Sequence, residues 1–280
     1  MMHAARVPAF LLLLLAIPGP WGCTPAASGP PGMVLRHVQR VVDGDTVVLA
    51  GRQRIRLAGV NAPEIDEELG LVAREFAQKF AHRKDAWVSE ARKDGYGRLV
   101  SDVVVDGRSL AEELVRAGLG HVFLFPPEDE RSARALLEAQ DEARAARRGI
   151  WATERFRGDF HISSFHANPY GDDRENLNGE YLRIANLRTV AMSLKGHILS
   201  NEHGDRYVFG DVVLPPCQTV TVSSGAGDDE TRPGHAMKLF WSRTSPMWSN
   251  QGDKATLMDA EGRVLDTAVY DPKHRKVYPK

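Results

Sequence analysis

Cysteine is almost missing from this chain of 280 residues, with two, at positions 23 and 217. A disulfide framework is therefore excluded, and at most one bridge could form. An excess of positive charge is missing too. Lysine and arginine number 36 against 37 aspartates and glutamates, a formal net charge of −1. Even the stretch 34–153, which carries the motifs described below, holds 19 basic and 20 acidic side chains. Proteins that bind a polyanion by bulk charge are basic. Here a polyanion must be held by a local cluster and a metal, with modest, salt-sensitive affinity. The leucine-rich run over residues 7–17 is shorter than the roughly 20 residues a membrane helix needs. Internal repeats and long low-complexity segments are also missing.

What is present begins with a targeting pattern. Arg6 supplies a positive start, the apolar run follows, and CTPAASGPPG comes next. This reads as a secretory signal over residues 1–22 and a Pro/Gly-rich tether over 23–33. Cys23 leaves two outcomes open. A bacterial lipoprotein is cleaved just before a cysteine so placed, and Gly22 suits that cut. Pro20 and Trp21 do not. The expectation is export, either as a secreted protein or as a cell-envelope lipoprotein with a lipid anchor on Cys23. The remaining length suits roughly two domains of about 150 residues each.

The chain is organised around residues 42–64, VDGDTVVLAGRQRIRLAGVNAPE. Two acidic turns flank two β-patterned runs. Asp43 and Asp45 surround Gly44 in the first turn; Asn61, Ala62, Pro63 and Glu64 form the second. Arg52, Arg54 and Arg56 alternate with apolar residues, so they should share one strand face. A short Ala50-Gly51 connection makes the runs a hairpin, which brings Asp45 and the 61–64 turn together. Hard oxygen donors beside an arginine row suit a divalent cation and a phosphate ester. Asp45 is the first ligand to name, with the Asn61 amide oxygen and the Ala62 carbonyl beside it. Glu64 is placed to take a proton from an attacking water or to orient it. Asp43 reads mainly as a turn former. His121 reads as a satisfied strand histidine.

DGDT, RIRLAGVNAPE and the DGYGR turn at 94–98 together resemble the thermonuclease (staphylococcal nuclease) family, in order and spacing. The resemblance covers residues 34–151, under half the chain. It implies a five-stranded OB-type barrel with flanking helices, and calcium-dependent cleavage of DNA and RNA leaving 3′-phosphate ends. It implies the same roles for Asp45, Asn61, Ala62 and Glu64, and a phosphate clamp of Arg56 and Arg98. Guanidinium forks suit that task. Tyr96 is retained from the family's turn, placed to stack on or hydrogen-bond the nucleotide; Phe123 and Phe125 fall where the family has tyrosines and can stack on bases, although core packing suits them at least as well. The chain departs from the family at three positions. Asn61 and Ala62 stand where the family has aspartate and threonine, and Gly95 replaces a lysine. The lost charge predicts a single, weakly bound Ca2+.

Further along, helical spacing over 67–83 places Val72, Phe76 and Phe80 four apart as core residues. Ser109 and Glu112 form a capping box for a helix through Ala117, ended by Gly118. A long helix is expected over 128–148, with Arg144, Arg147 and Arg148 matching its dipole. After residue 157 short β runs recur. The ordered patterns NPYGDDRENLNGEYLRIANL, SLKGHILS, RYVFGDVVL and GDKATLMDAEGRVLDTAVY resemble lamin-tail domains, which implies an Ig-like sandwich over 158–272. Residues 223–233 read as a mobile loop and 273–280 as a tail.

Three functions follow. The leading one is an exported calcium-dependent endonuclease of low specificity acting on DNA, RNA or both. A non-catalytic OB-type nucleic-acid binder is the rival. A third makes the Ig-like domain primary, docking to the envelope or adhering through an unknown ligand. A monomer is expected.

Overall fold

The computed structural model describes residues 29–90, 92–94, 97–125 and 133–274. The expected signal segment, Cys23, Gly95 and Tyr96 lie outside these residues. Among the described residues no helix is long and apolar enough to cross a membrane.

The first half contains β1 (Val34–Val41), β2 (Thr46–Leu49), β3 (Arg54–Leu57), β4 (Val60–Asn61), α1 (Gly70–Ala81), β5 (Asp85–Val88), β6 (Leu99–Ser101), β7 (Val104–Val105), β8 (Arg108–Ser109), α2 (Leu110–Arg116), β9 (His121–Val122) and α3 (Arg134–Ala145). Seven strands join in the order β6-β3-β2-β1-β5-β7-β8, and β4 pairs separately with β9. The fold is OB-type with flanking helices, as expected, but the five-stranded closed barrel is not formed. Among the described residues the edge strands β6 and β8 do not pair. Between β6 and β7 the strand run breaks at Asp102. Its carboxylate accepts from Val103 N and Ala111 N. β6 then joins β3 in parallel while β7 joins β5.

Two local expectations change with packing. The hairpin connection is longer, with Leu49 N donating to Gln53 O at 2.8 Å. Arg52 sits in that turn at φ 68, so only Arg54 and Arg56 share the strand face. On α1 the residues facing the core are Ala73, Ala77 and Ala81, while Val72 is exposed and Phe76 and Phe80 lie at the rim. Small residues let the helix approach closely. A Cβ on Gly44 would stand 2.7 Å from the Ala62 Cβ and 2.8 Å from the Ala73 Cβ. The glycine of the first acidic turn is thus the contact at which that turn, the second turn and α1 converge.

The second half contains β10 (Phe160–His166), β11 (Tyr181–Asn186), β12 (Met192–Ser193), β13 (Ile198–Ser200), β14 (Arg206–Val208), β15 (Val213–Leu214), β16 (Thr219–Ser223), β17 (Met237–Phe240), β18 (Asp253–Met258) and β19 (Val264–Tyr270). Two four-stranded sheets, β10-β11-β16-β17 and β14-β13-β18-β19, pack around one apolar cluster as an Ig-like sandwich. Trp248 is buried in it and Trp241 lies against it, so both tryptophans serve the core. The loop after β16 is tied down rather than loose. Glu230 bridges Lys238, and Asp229 accepts from Phe240 N.

The halves meet along α3. Gln140 is fully buried; its Oε1 accepts from Val122 N, and its Nε2 donates to Leu187 O and Cys217 Sγ. Cys217 belongs to the core cluster of the first half. Arg144, expected to serve only its own helix terminus, instead donates across to Leu187 O and Gly158 O.

Candidate metal and phosphate site

The two acidic turns close on each other. Asp45 Oδ2 accepts from Ala62 N at 2.8 Å and pairs with Arg56 Nη2 at 3.2 Å. Arg56 Nη2 also donates to Asn61 Oδ1 at 2.9 Å. Its Nη1 donates to Leu57 O and Val60 O. Three hydrogen bonds and one ion pair therefore tie the guanidinium into the hairpin and turn. Arg56 pins the second turn as well as facing the site.

Glu64 is exposed, and its backbone N–H donates to Glu67 Oε2 at 2.8 Å. Arg155, in the segment between the halves, pairs with the other oxygen of Glu67 at 3.0 Å. Asp43 lies between Asp45 and Glu64 electrostatically. Burial, then the Asp45 charge, then the Glu64 charge push its carboxyl up to about 7. Crowded like charges of this kind are what a hard cation relieves.

The remaining expected residues scatter more widely. Arg98 follows the turn held by Asp94, with Nε on Asp94 Oδ2 at 2.7 Å. The parallel register Ile55↔Leu99 and Arg56↔Val100 brings Arg98 alongside β3, level with Arg54. Leu124 is buried, Phe123 is half-buried and Phe125 is 46% exposed. That geometry is open to a base. Three participants were not legible as site residues: Glu67, Arg155 and His121. His121 is 1% exposed, and its Nε2 lies 3.4 Å from Asn61 Nδ2. Their polar types were visible, but the pairs Arg155–Glu67 and His121–Asn61 join distant segments.

The donor set is all oxygen and partly buried, which suits calcium. Among the described residues no three His, Cys, Asp or Glu side chains are grouped as for a tight metal centre.

A family model for staphylococcal nuclease homologues matches residues 54–153. Over 120 residues the chain is 34% identical to a protein of Escherichia coli named "uncharacterized endonuclease", covering 41% of this chain and 76% of that one. The chain belongs to the staphylococcal nuclease homologues. It shares 35% identity over 108 residues with the "probable staphylococcal-like nuclease CAN1" of Oryza sativa subsp. japonica, 39% of this chain and 31% of that one. It shares 30% identity over 128 residues with "Protein ParB" of Escherichia coli, 41% and 71% of the two chains. A Lamin Tail Domain model matches residues 155–272. This staphylococcal nuclease homologue therefore carries a lamin-tail domain directly after its nuclease domain. The family-model match starts at Arg54, so Asp45 joins the site through its bonds to Ala62 and Arg56 rather than through that match.

Proposed function

We propose that the chain is an exported, calcium-dependent endonuclease that hydrolyses phosphodiester bonds of DNA, RNA or both with little sequence preference, leaving 3′-phosphate ends. The observation that carries this reading is Asp45 bonded to both Ala62 N and Arg56. It gathers a carboxylate, the 61–64 turn and a guanidinium at one place.

Asp45, the Asn61 amide oxygen and the Ala62 carbonyl are the groups that would hold calcium. When bound, that ion polarises a phosphate oxygen and orients water. Glu64, exposed and anchored through its backbone, accepts the proton of the attacking water. Arg56 Nε and the Arg98 guanidinium neutralise phosphate oxygens. Phe123, Phe125 and Tyr96 supply ring faces for the nucleotide.

The test is cleavage of plasmid DNA and of RNA by the purified protein. Calcium should support it and EDTA should abolish it. Glu64→Gln should reduce kcat by about 10²–10⁴-fold, the usual contribution of a general base. Cleavage that survives Glu64→Gln in full rejects the assignment. One observation favours the rival, binding without turnover: Arg56 is largely occupied by protein acceptors. Oligonucleotide binding with no cleavage at any calcium level would favour it.

A further inference from the structure

Between α1 and the strands β1–β3 runs a groove of about 1020 Å3. Its floor is Val41 and Val48, and its walls carry Arg40, Arg52, Arg54, Arg74 and Arg83. His37 and His82 complete the basic lining. No carboxylate lines it, and neither do Asp45, Asn61 and Glu64. Asp85 touches the lining only through His37, at 2.8 Å.

These arginines differ from others in the same domain. Arg56, Arg98, Arg108 and Arg116 each hold a carboxylate. Among the described residues, none of the five groove arginines has an ion-pair partner. Arg74 Nε is buried with no hydrogen-bond partner at all. Five like charges around one concavity repel each other, and a buried N–H donor without an acceptor is destabilising. Both are relieved by an anion that supplies several acceptors. A concave wall of one sign also concentrates field and counter-ions. The arrangement is local, since the domain as a whole is near neutral.

Position gives the anion its class. Arg54 and Arg56 occupy the same face of β3, opposite Val48 and Thr46 of β2. Two residues along a strand are about 6.6 Å apart. The groove therefore begins one side-chain step from the guanidinium that faces Asp45. Its lining has no Phe, Tyr or Trp and so offers no aromatic platform for bases. We infer that the groove is a phosphate track. It holds the sugar–phosphate backbone of nucleic acid outside the linkage being cut, through guanidinium–phosphate contacts that read no sequence. The ligand class rests on the nuclease reading above; the charge arrangement does not.

The experiment is fluorescence anisotropy of a labelled 20-nucleotide single-stranded DNA, in EDTA, across a salt series. The groove variant is Arg40→Gln/Arg52→Gln/Arg54→Gln, three exposed side chains. The charge-matched control is Arg134→Gln/Arg174→Gln/Arg206→Gln, exposed arginines elsewhere. The groove variant should bind at least tenfold more weakly at low salt. Its log K against log salt slope should fall by about 2, three contacts at roughly 0.7 each. The control should change less than twofold. The corresponding Arg→Lys triple should keep the slope, which separates lost charge from lost structure. Equal losses in both Gln triples, or none in the groove variant, overturn the proposal. So does a groove variant that loses binding to phosphatidylserine vesicles while its DNA binding is untouched. Groove-dependent binding by a protein that cuts nothing would reject the nuclease reading and leave the groove standing. Cleavage by a protein whose binding ignores the groove variant would do the reverse.

Discussion

Asn61 is an uncharged side chain among acids, and its neighbours hold its amide one way round. Burial above all, then the nearby His161, pulls the His121 pKa down to about 3. The neutral ring donates Nδ1–H to Val122 O at 3.0 Å, which leaves Nε2 to accept from Asn61 Nδ2. Asn61 Oδ1 is thereby turned to Arg56. Asn61→Asp sets a carboxylate oxygen against that ring lone pair. In metal-free protein the His121 pKa should then rise by about a unit or more, since a carboxylate favours the charged ring. An NMR titration of His121 that is unchanged would mean the two side chains do not meet in solution. His121 also gives stability a pH dependence. Its folded pKa lies below the ordinary 6.5, so the unfolded chain takes up the proton first. Its contribution is complete above about pH 6.5 and is lost as pH falls toward 3. By pH 5 the loss is about 2 kcal/mol, at 1.36 kcal/mol per pH unit. Asp43, raised to about 7, moves stability the opposite way over the same window, so the reading is the difference between proteins: in urea unfolding at pH 7 and pH 5, His121→Phe should lose about 2 kcal/mol less than the parent. Parallel behaviour of the two proteins would contradict the assignment. Asn61 itself was legible as a ligand candidate because its turn is local in sequence. The histidine that orients it was not, because burial at a domain seam leaves no local pattern.

Among the elements, Gly118, which follows α2, meets Gly149, which lies beyond the end of α3 at Ala145. Gly118 has φ 69 and Gly149 φ 52, and Ile150 N donates to Gly118 O at 2.8 Å. A Cβ on Gly149 would stand 2.1 Å from Gly118 O, a backbone atom that cannot swing away. Gly149→Ala should therefore cost several kcal/mol, through steric displacement added to the strain of a positive φ. Gly107→Ala, at φ 75 with open space around it, should cost only about 1 kcal/mol. Chemical denaturation of both variants checks the contrast, and equal losses would refute the close approach. Of the two glycines, Gly118 was legible as a helix stop, which is a local property, whereas α3, expected to run to residue 148, stops at Ala145 with Arg147 taking the positive φ. The meeting of the two glycines is tertiary and was not legible. The same division runs through the fold. Ser109 does cap α2, accepting from Glu112 N at 3.0 Å, but the Glu112 carboxylate turns to Arg116 rather than completing the box. The β runs were legible from alternation. The break at Asp102 and the parallel pairs β3–β6 and β16–β17 were not, because the partner strands that set them are remote in sequence.

At the scale of the molecule, the lamin-tail domain is built into the back of the nuclease domain. Gln140 and Arg144 of α3 bond to Leu187, Cys217 and Gly158, and Thr189 Oγ1 donates to Asp141. Leu187 shares an apolar cluster with Ala143, Ile150, Trp151 and Phe156. Phe156 packs tilted against both His121 and His161, whose rings also meet edge-on, and His161 is held by Asp266 at 2.7 Å. The chain of contacts from Asp266 to Asn61 thus crosses from one domain to the other and stops at the candidate site. A detachable docking module would leave no such trail. Ending the chain after Arg157 would strand the buried amide of Gln140 and uncover that cluster, a loss of several kcal/mol. For a domain of this size that lowers Tm by about ten degrees or more. The fragment should also cut DNA more slowly than the full chain at temperatures where both are folded, because His121 loses the packing that aims Asn61. Calorimetry of the two proteins and cleavage at 20 °C give separate readings. A fragment that melts at the same temperature as the nuclease transition of the full chain, and cuts at the same rate, would make the second domain a passenger.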